Sequence, residues 1–249
     1  MIQTTAAEHT DIDTLIEQIQ GLSIKDSLAF FAAKFPGKVT FSSSFSYEDQ
    51  LITHEILEHK VPVSIFTLDT GRMFPETYST WNNTREKYNA TIRAYYPDAE
   101  QLQNFVEQKG PNSFYESVEN RKSCCYIRKV EPLKRALAGN RVWVTGLRAE
   151  HSAVRGDLKP IEWDEGNQVI KFHPILNWST EEVKQYIDQN NIPYNPLHDR
   201  GFVSIGCAPC TRAIRPGEDF RAGRWWWEDS SKKECGLHVH HEPRLIVKS

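Results

Sequence analysis

No apolar run in this 249-residue chain approaches the roughly 18–20 residues that a membrane span requires. The first residues, MIQTTAAEHTDID, lack both a basic n-region and an apolar h-region. No export signal is therefore expected, and the cytoplasm is the expected compartment. Charge of either sign is not in excess: 30 Lys+Arg against 33 Asp+Glu give a net charge of -3. That balance argues against a general nucleic-acid or membrane-surface binder. G-x-G-x-x-G and G-x-x-x-x-G-K-S/T are both absent, which disfavours a dinucleotide fingerprint and P-loop hydrolysis of Mg-ATP. There is no internal repeat and no low-complexity segment. The five cysteines are an odd number, and in a reducing compartment they do not suggest a disulfide framework.

Apolar residues make up 39%, enough for a substantial core. The pattern along the chain predicts one α/β domain over residues 1–229, with 230–249 as a mobile C-terminal segment. Residues 11–34 read as helix, with Ile12, Leu15, Ile16 and Ile19 at helical spacing and a break at Gly21–Ser23. Val39–Phe41, Val63–Leu68, Thr91–Tyr95 and Arg141–Thr145 read as strands. Helices are expected between them, one opened by Pro75 and one near 125–138. Ser179 and Glu182 predict a capping box for a further helix. Strands alternating with helices indicate a mainly parallel sheet flanked by helices, which binds ligands beyond the carboxyl ends of its strands.

Three polar segments follow strands directly and should lie on one edge of that sheet. Ser42, Ser43 and Ser44 stand between a strand and a helix, where backbone N–H groups and hydroxyls make an anion site. Asp69, Thr70 and Gly71 could meet a ribose or an adenine amine. Gly146 permits close backbone approach, and Arg148 can fork onto a phosphate or sulfate, with Arg155 seven residues on. Taken singly, each also fits an ordinary capped turn or a solvated arginine.

Four of the cysteines form two tight pairs, Cys124–Cys125 and Cys207–Cys210 (C-A-P-C). Four thiolates can bind zinc or an iron–sulfur cluster, and spacing does not choose between them. The adjacent pair requires a sharp backbone turn if both thiols are to reach one compact site. Lys129 would face the same side one turn later, if a helix starts at the pair. Arg221 and Arg224 precede three tryptophans in R-A-G-R-W-W-W-E and suggest a local anion site, the tryptophans themselves being read as core. Cys235, in K-K-E-C-G-L-H, has Lys232, Lys233 and His238 near it to favour a nucleophilic thiolate.

Together, C-C, C-A-P-C, R-A-G-R-W-W-W-E and E-C-G-L-H resemble the assimilatory adenylyl-sulfate (APS) reductases. S-S-S-F-S-Y-E-D, L-D-T-G and T-G-L-R resemble the same family's nucleotide-binding elements, and the likeness spans about residues 35–240. The loop departs from the family at Ser46–Tyr47, where small residues are expected. The resemblance implies an adenine nucleotide α-hydrolase-like fold, related to the ATP pyrophosphatases. It implies a 4Fe–4S cluster on Cys124, Cys125, Cys207 and Cys210, and Cys235 as nucleophile on a closing segment. It implies reduction of APS to sulfite and AMP through an S-sulfocysteine, for cysteine biosynthesis. Lys129, Arg148, Arg221 and Arg224 would supply positive charge and His238 would assist Cys235. The chain stops soon after E-C-G-L-H, so thioredoxin is expected as an external electron donor. Phosphoadenylyl-sulfate (PAPS) reductases generally lack the two cysteine pairs, which favours APS. The alternatives are a PAPS or dual APS/PAPS reductase, a zinc-bound nucleotide-binding redox regulator, and a nucleic-acid-acting pyrophosphatase relative. Oligomeric state is left open, a homo-oligomer included.

Overall fold

A computed structural model describes residues 6–151 and 158–228. The chain begins with helices α1 (Ala6–Ile19) and α2 (Ile24–Lys34), broken where the glycine predicts; Ser23 Oγ accepts the Asp26 N–H to start α2. Then β1 (Val39–Ser42), α3 (Tyr47–Glu58), β2 (Ser64–Leu68), α4 (Pro75–Tyr88) and β3 (Arg93–Tyr95) follow in strict alternation. Helix α5 (Ala99–Lys109) leads to α6 (Val118–Cys125), a π-helical turn (Tyr126–Val130) and α7 (Glu131–Leu137). The chain continues through β4 (Val142–Val144), β5 (Ile161–Asp164), β6 (Val169–Phe172) and α8 (Thr180–Gln189).

The sheet order is β3-β2-β1-β4-β6-β5, parallel throughout except for β5. The chain moves outward from β1 to β3 and then returns to pair β4 with the other side of β1. That reversal makes the β1–β4 boundary the switch point, where the loops leaving the two strands diverge and open a crevice. Phe41 pairs with Ile65 on one side and with Val144 on the other, so the carboxyl ends of the three strands point to one edge, with β2 running furthest.

Alternation along the strands gives the sheet two apolar faces. Phe41, Ile65, Val144 and Phe172 meet Leu28, Phe31, Leu51, Ile52 and Val183 on one side. Phe66, Trp143 and Val169 meet Leu133, Ala136 and Leu137 of α7 on the other. The first helix adds Ile12 and Leu15 to the larger face, packing against β5. Ser179 and Glu182 form the expected capping box.

Two features were not foreseen. Helix α5 is one. The hairpin β5–β6 is the other, turned by a left-handed Gln168 (φ 55°) and placing an antiparallel strand at the sheet edge. No helix among the described residues is long and apolar enough to cross a membrane. The segment 230–249 lies outside the described residues.

Candidate functional site

A cavity of about 270 Å³ opens at the carboxyl ends of β1, β2 and β4. Ser42, Ser43 and Ser44 form one wall, Thr70 a second, and Thr145, Gly146 and Leu147 a third. The far side comes from Val203–Cys207, Phe220, Arg221 and Arg224, and Lys129 reaches in from the π turn. The three strand-end segments do therefore share one cleft, as the parallel alternation predicts, although not every residue in them faces it.

The serine loop turns at Phe45, a buried left-handed residue (φ 61°) stacked on Trp81. Helix α3 then starts at Tyr47, whose ring stacks 4.1 Å from His198 and 5.0 Å from Tyr194. The bulky departure at Ser46–Tyr47 is thus absorbed by these aromatic contacts, and the helix entry is intact. Ser44 corrects a simpler expectation. Its N–H and its hydroxyl both donate to Asp49 Oδ2 at 2.6 Å, so the loop's own helix already engages them. Gly146 explains itself by proximity: a Cβ there would collide with Asp49 Oδ1 and crowd Glu48.

Asp49 is the buried acid of the site. Burial pushes its carboxyl up from 3.8 to about 6, and the Ser44 bonds offset this only in part. The folded chain therefore holds this proton more tightly than the unfolded chain does. The group favours folding below about pH 4 and disfavours it increasingly as pH rises through about 6. Between those limits the wild type should lose up to about 3 kcal/mol of stability relative to Asp49→Asn. Urea unfolding of both proteins across this range tests the point, and parallel stability profiles would refute it.

Three predicted residues, Asp69, Gly71 and Arg148, do not line the cavity. Asp69 is buried, and its Oδ1 accepts the Gly71 N–H at 2.8 Å and the Tyr78 hydroxyl at 2.9 Å. It caps its own turn, with Gly71 left-handed at φ 69°. Arg148 is completely buried instead of forking onto a ligand. Its guanidinium donates to Glu48 Oε1, Glu150 Oε2, the Trp178 carbonyl and Thr180 Oγ1, at 2.5–3.1 Å. It ties the β4 loop to the starts of α3 and α8.

All four paired cysteines line a second, small cavity of about 20 Å³. All four are free thiols. Helix α6 begins at Val118, capped by Ser117, well before the pair. The expected sharp turn between Cys124 and Cys125 is unnecessary, because both sit at the helix end. Lys129 comes forward through the π turn, not through a helix started at the pair. Pro132 has no N–H to close onto the Arg128 carbonyl, which is where the helical ladder widens. The C-A-P-C segment forms a 3-10 turn, anchored by Ala208 N–H to the Arg72 carbonyl. Cys207 Sγ lies 3.3 Å from Thr70 Oγ1. Burial, then the neighbouring Cys207 sulfur, pushes the Cys210 thiol up to about 12; burial also raises Cys124, against the pull of Arg128. Among the described residues, no three His, Cys, Asp or Glu side chains form a ready site for a single metal ion.

The tryptophan segment pairs with C-A-P-C through a Thr211–Arg224 bridge. Gly223 is required there, since a Cβ would strike the Arg212 carbonyl. Trp225 is buried among Phe114, Cys124 and Cys210, with the Arg121 and Arg224 guanidiniums over its ring at 4.7 and 4.8 Å. Glu228 holds Arg121 with two bonds of 2.9 and 2.7 Å. Trp226, by contrast, is 40% exposed, so the reading of the tryptophans as core applies to Trp225 and not to its neighbour. Cys235, His238 and Arg155 lie outside the described residues. Glu48 and Asp49, at the end of S-S-S-F-S-Y-E-D, and Thr145, at the start of T-G-L-R, also form the cleft, as does Trp143. Trp143 alone has no motif to mark it; its signal is the alternation in R-V-W-V-T, which puts Trp143 and Thr145 on one face.

The profile of the phosphoadenosine phosphosulfate reductase domain matches residues 38–213. An adenosine 5′-phosphosulfate reductase of Burkholderia cepacia is 52% identical over 202 residues, covering 81% of each chain. Among solved structures, a PAPS reductase from Candida auris in complex with phosphate superposes with a TM-score of 0.71 at 30% identity, covering 85% of this chain and 98% of its own. Yeast FAD synthetase in complex with FAD shares the fold at a TM-score of 0.51 and 16% identity, covering 85% of this chain and 70% of its own.

Proposed function

The chain belongs to the phosphoadenosine phosphosulfate reductase domain family, and we propose that it reduces adenylyl sulfate to sulfite and AMP with electrons from thioredoxin. The fold is adenine nucleotide α-hydrolase-like. The observation that carries the reading is the junction of the two cavities: Lys129 and Cys207 line both, so the four-thiol pocket abuts the strand-end cleft.

In this reading the cleft holds the nucleotide. Lys129, Arg221 and Arg224 bring three cations to it, where charge on sulfuryl oxygens develops as the group transfers. The Cys235 thiolate attacks the sulfur of APS. A bond from Cys235 Sγ to that sulfur forms, the bond from sulfur to the bridging phosphate oxygen breaks, and AMP leaves. His238 assists the thiolate. A thioredoxin thiolate then attacks Cys235 Sγ and releases sulfite. The second thioredoxin thiol resolves the mixed disulfide, so the dithiol supplies both electrons.

The residues fit a 4Fe–4S cluster held by Cys124, Cys125, Cys207 and Cys210. The four thiols line one pocket, and a four-iron cluster takes one thiolate per iron. When bound, the cluster supplies local charge beside the cleft. Arg72, Arg121 and Arg128 line the same pocket and compensate negative sulfur.

Oxygen-free purification should give a brown protein with iron and sulfide in equal amounts. With thioredoxin it should release sulfite from APS much faster than from PAPS. Comparable use of PAPS would detach substrate choice from the cysteine pairs. A colourless zinc protein producing no sulfite would favour the redox-regulator reading.

A further inference from the structure

Behind the β4 wall of the cleft lies a buried polar group that the chemistry above does not use. His173, directly after β6, is completely buried. Its Nδ1 is 2.7 Å from Thr145 Oγ1, and Thr145 lines the cleft. On its other side, Nε2 lies 3.5 Å from Glu162 Oε1 of β5. Lys171 Nζ stands 3.6 Å from that same oxygen and 3.1 Å from Asp164 Oδ2. An imidazole thus sits between a carboxylate and a hydroxyl, with a lysine beside the carboxylate.

The arrangement selects one proton position. A carboxylate facing Nε2 favours the hydrogen on that nitrogen, since a lone pair there would oppose the negative oxygen. The ring is completely buried, and Lys171 stands against the same carboxylate. Nδ1 then carries a lone pair and can only accept, so the Thr145 hydroxyl must donate to it. One Thr145 lone pair meets the Leu147 N–H at 3.4 Å. Among the described residues no hydrogen bond occupies the other, and Thr145 lines the cleft.

We infer that His173 is a positioning residue: with the Glu162 carboxylate 3.5 Å away favouring its Nε2–H form electrostatically and not through a hydrogen bond, it takes the Thr145 hydrogen and presents the Thr145 oxygen to the cleft as a hydrogen-bond acceptor. The inference rests on the nucleotide reading of that cleft. An acceptor there selects a donor on the nucleoside, either a ribose hydroxyl or the exocyclic amine of adenine. It repels phosphate and sulfate oxygens, which can only accept, and so helps fix which end of the nucleotide lies against β4.

Equilibrium binding tests this, with AMP, purine riboside 5′-monophosphate (no amine), 2′-deoxy-AMP and 3′-deoxy-AMP as probes. The proteins are wild type, Thr145→Val, His173→Phe and His173→Asn, each checked by circular dichroism. Wild type should bind one analogue about 5–10-fold more weakly than AMP, the loss expected for one hydrogen bond. The identity of that analogue distinguishes ribose from amine. Thr145→Val and His173→Phe should reduce that ratio to below about 2-fold. His173→Asn, whose amide oxygen can accept the same hydrogen, should keep it. If His173→Phe does not fold, Thr145→Val and His173→Asn carry the comparison. AMP binding with the same analogue ratios in all proteins overturns the inference alone. No AMP binding by wild type overturns the nucleotide reading together with it.

Discussion

Cys235→Ser should release no measurable sulfite, a loss of at least about 10³-fold, because a serine hydroxyl is not ionised near neutral pH and does not replace a thiolate nucleophile. The effect should be confined to chemistry. Iron content should match wild type, since the four proposed cluster ligands are elsewhere, at 124, 125, 207 and 210. AMP affinity should also hold, since the cleft walls are built from strand ends and the 203–224 stretch. A single-turnover experiment adds a second readout. Wild type mixed with APS and no thioredoxin should gain the mass of one sulfuryl group on the peptide containing Cys235, and the variant should not. Sulfite release at an undiminished rate from the variant would end the covalent mechanism.

The second large effect concerns stability. Arg148→Leu removes a guanidinium that joins Glu48, Glu150, Thr180 and the Trp178 carbonyl. Glu48 is left nearly buried without this partner, its side chain only 13% exposed, while Glu150 at 52% can turn to water. Removing one partner of a buried ion pair costs about 3–5 kcal/mol. At this chain length that corresponds to a fall in Tm of roughly 10 °C. AMP binding should weaken as well, because Glu48 and Gly146 both line the cleft. A melting curve within about 2 °C of wild type would show that Arg148 is not the tie between the β4 loop and α3.

The contrast between Arg148 and Lys129 shows what the sequence makes legible. Alternation of strands and helices places Ser42, Thr70 and Gly146 on one edge, because parallel strands all point their carboxyl ends the same way. That logic needs no side-chain detail. Whether an arginine at that edge faces ligand or is enclosed by two glutamates depends on the neighbours that close over it. Glu48 and Arg148 are a hundred residues apart in sequence, and nothing local marks them as partners. Asp69 misleads for the opposite reason. Its partners, Gly71 and Tyr78, are close by, and a strand-end aspartate reads alike whether it caps its own turn or meets a ribose. The cysteine pairs are legible because thiols are few and clustered. The sequence pattern starts the helix that carries the first pair too late, since V-E-N-R-K-S-C-C has almost no apolar stripe. The β5–β6 hairpin is hidden between longer elements of the alternating pattern, yet it carries Glu162, Lys171 and Asp164.

The sheet order also has a consequence for synthesis. Cys207 follows Cys125 by 82 residues. At about 5–20 residues per second, the first two thiols leave the ribosome roughly 4–16 s before the second two. β4 (Val142–Val144) emerges within about the first quarter of that interval, and β4 is the strand that pairs with β1 across the switch point. The Cys124–Cys125 half of the pocket thus waits as an open vicinal dithiol. The C-A-P-C turn completes it only when Ala208 reaches the Arg72 carbonyl. Any delivery of iron and sulfide to all four thiols therefore comes after translation of the strands β1, β2 and β4 that border the cleft, and a ribosome stalled before residue 207 would present a half-built pocket to oxidants.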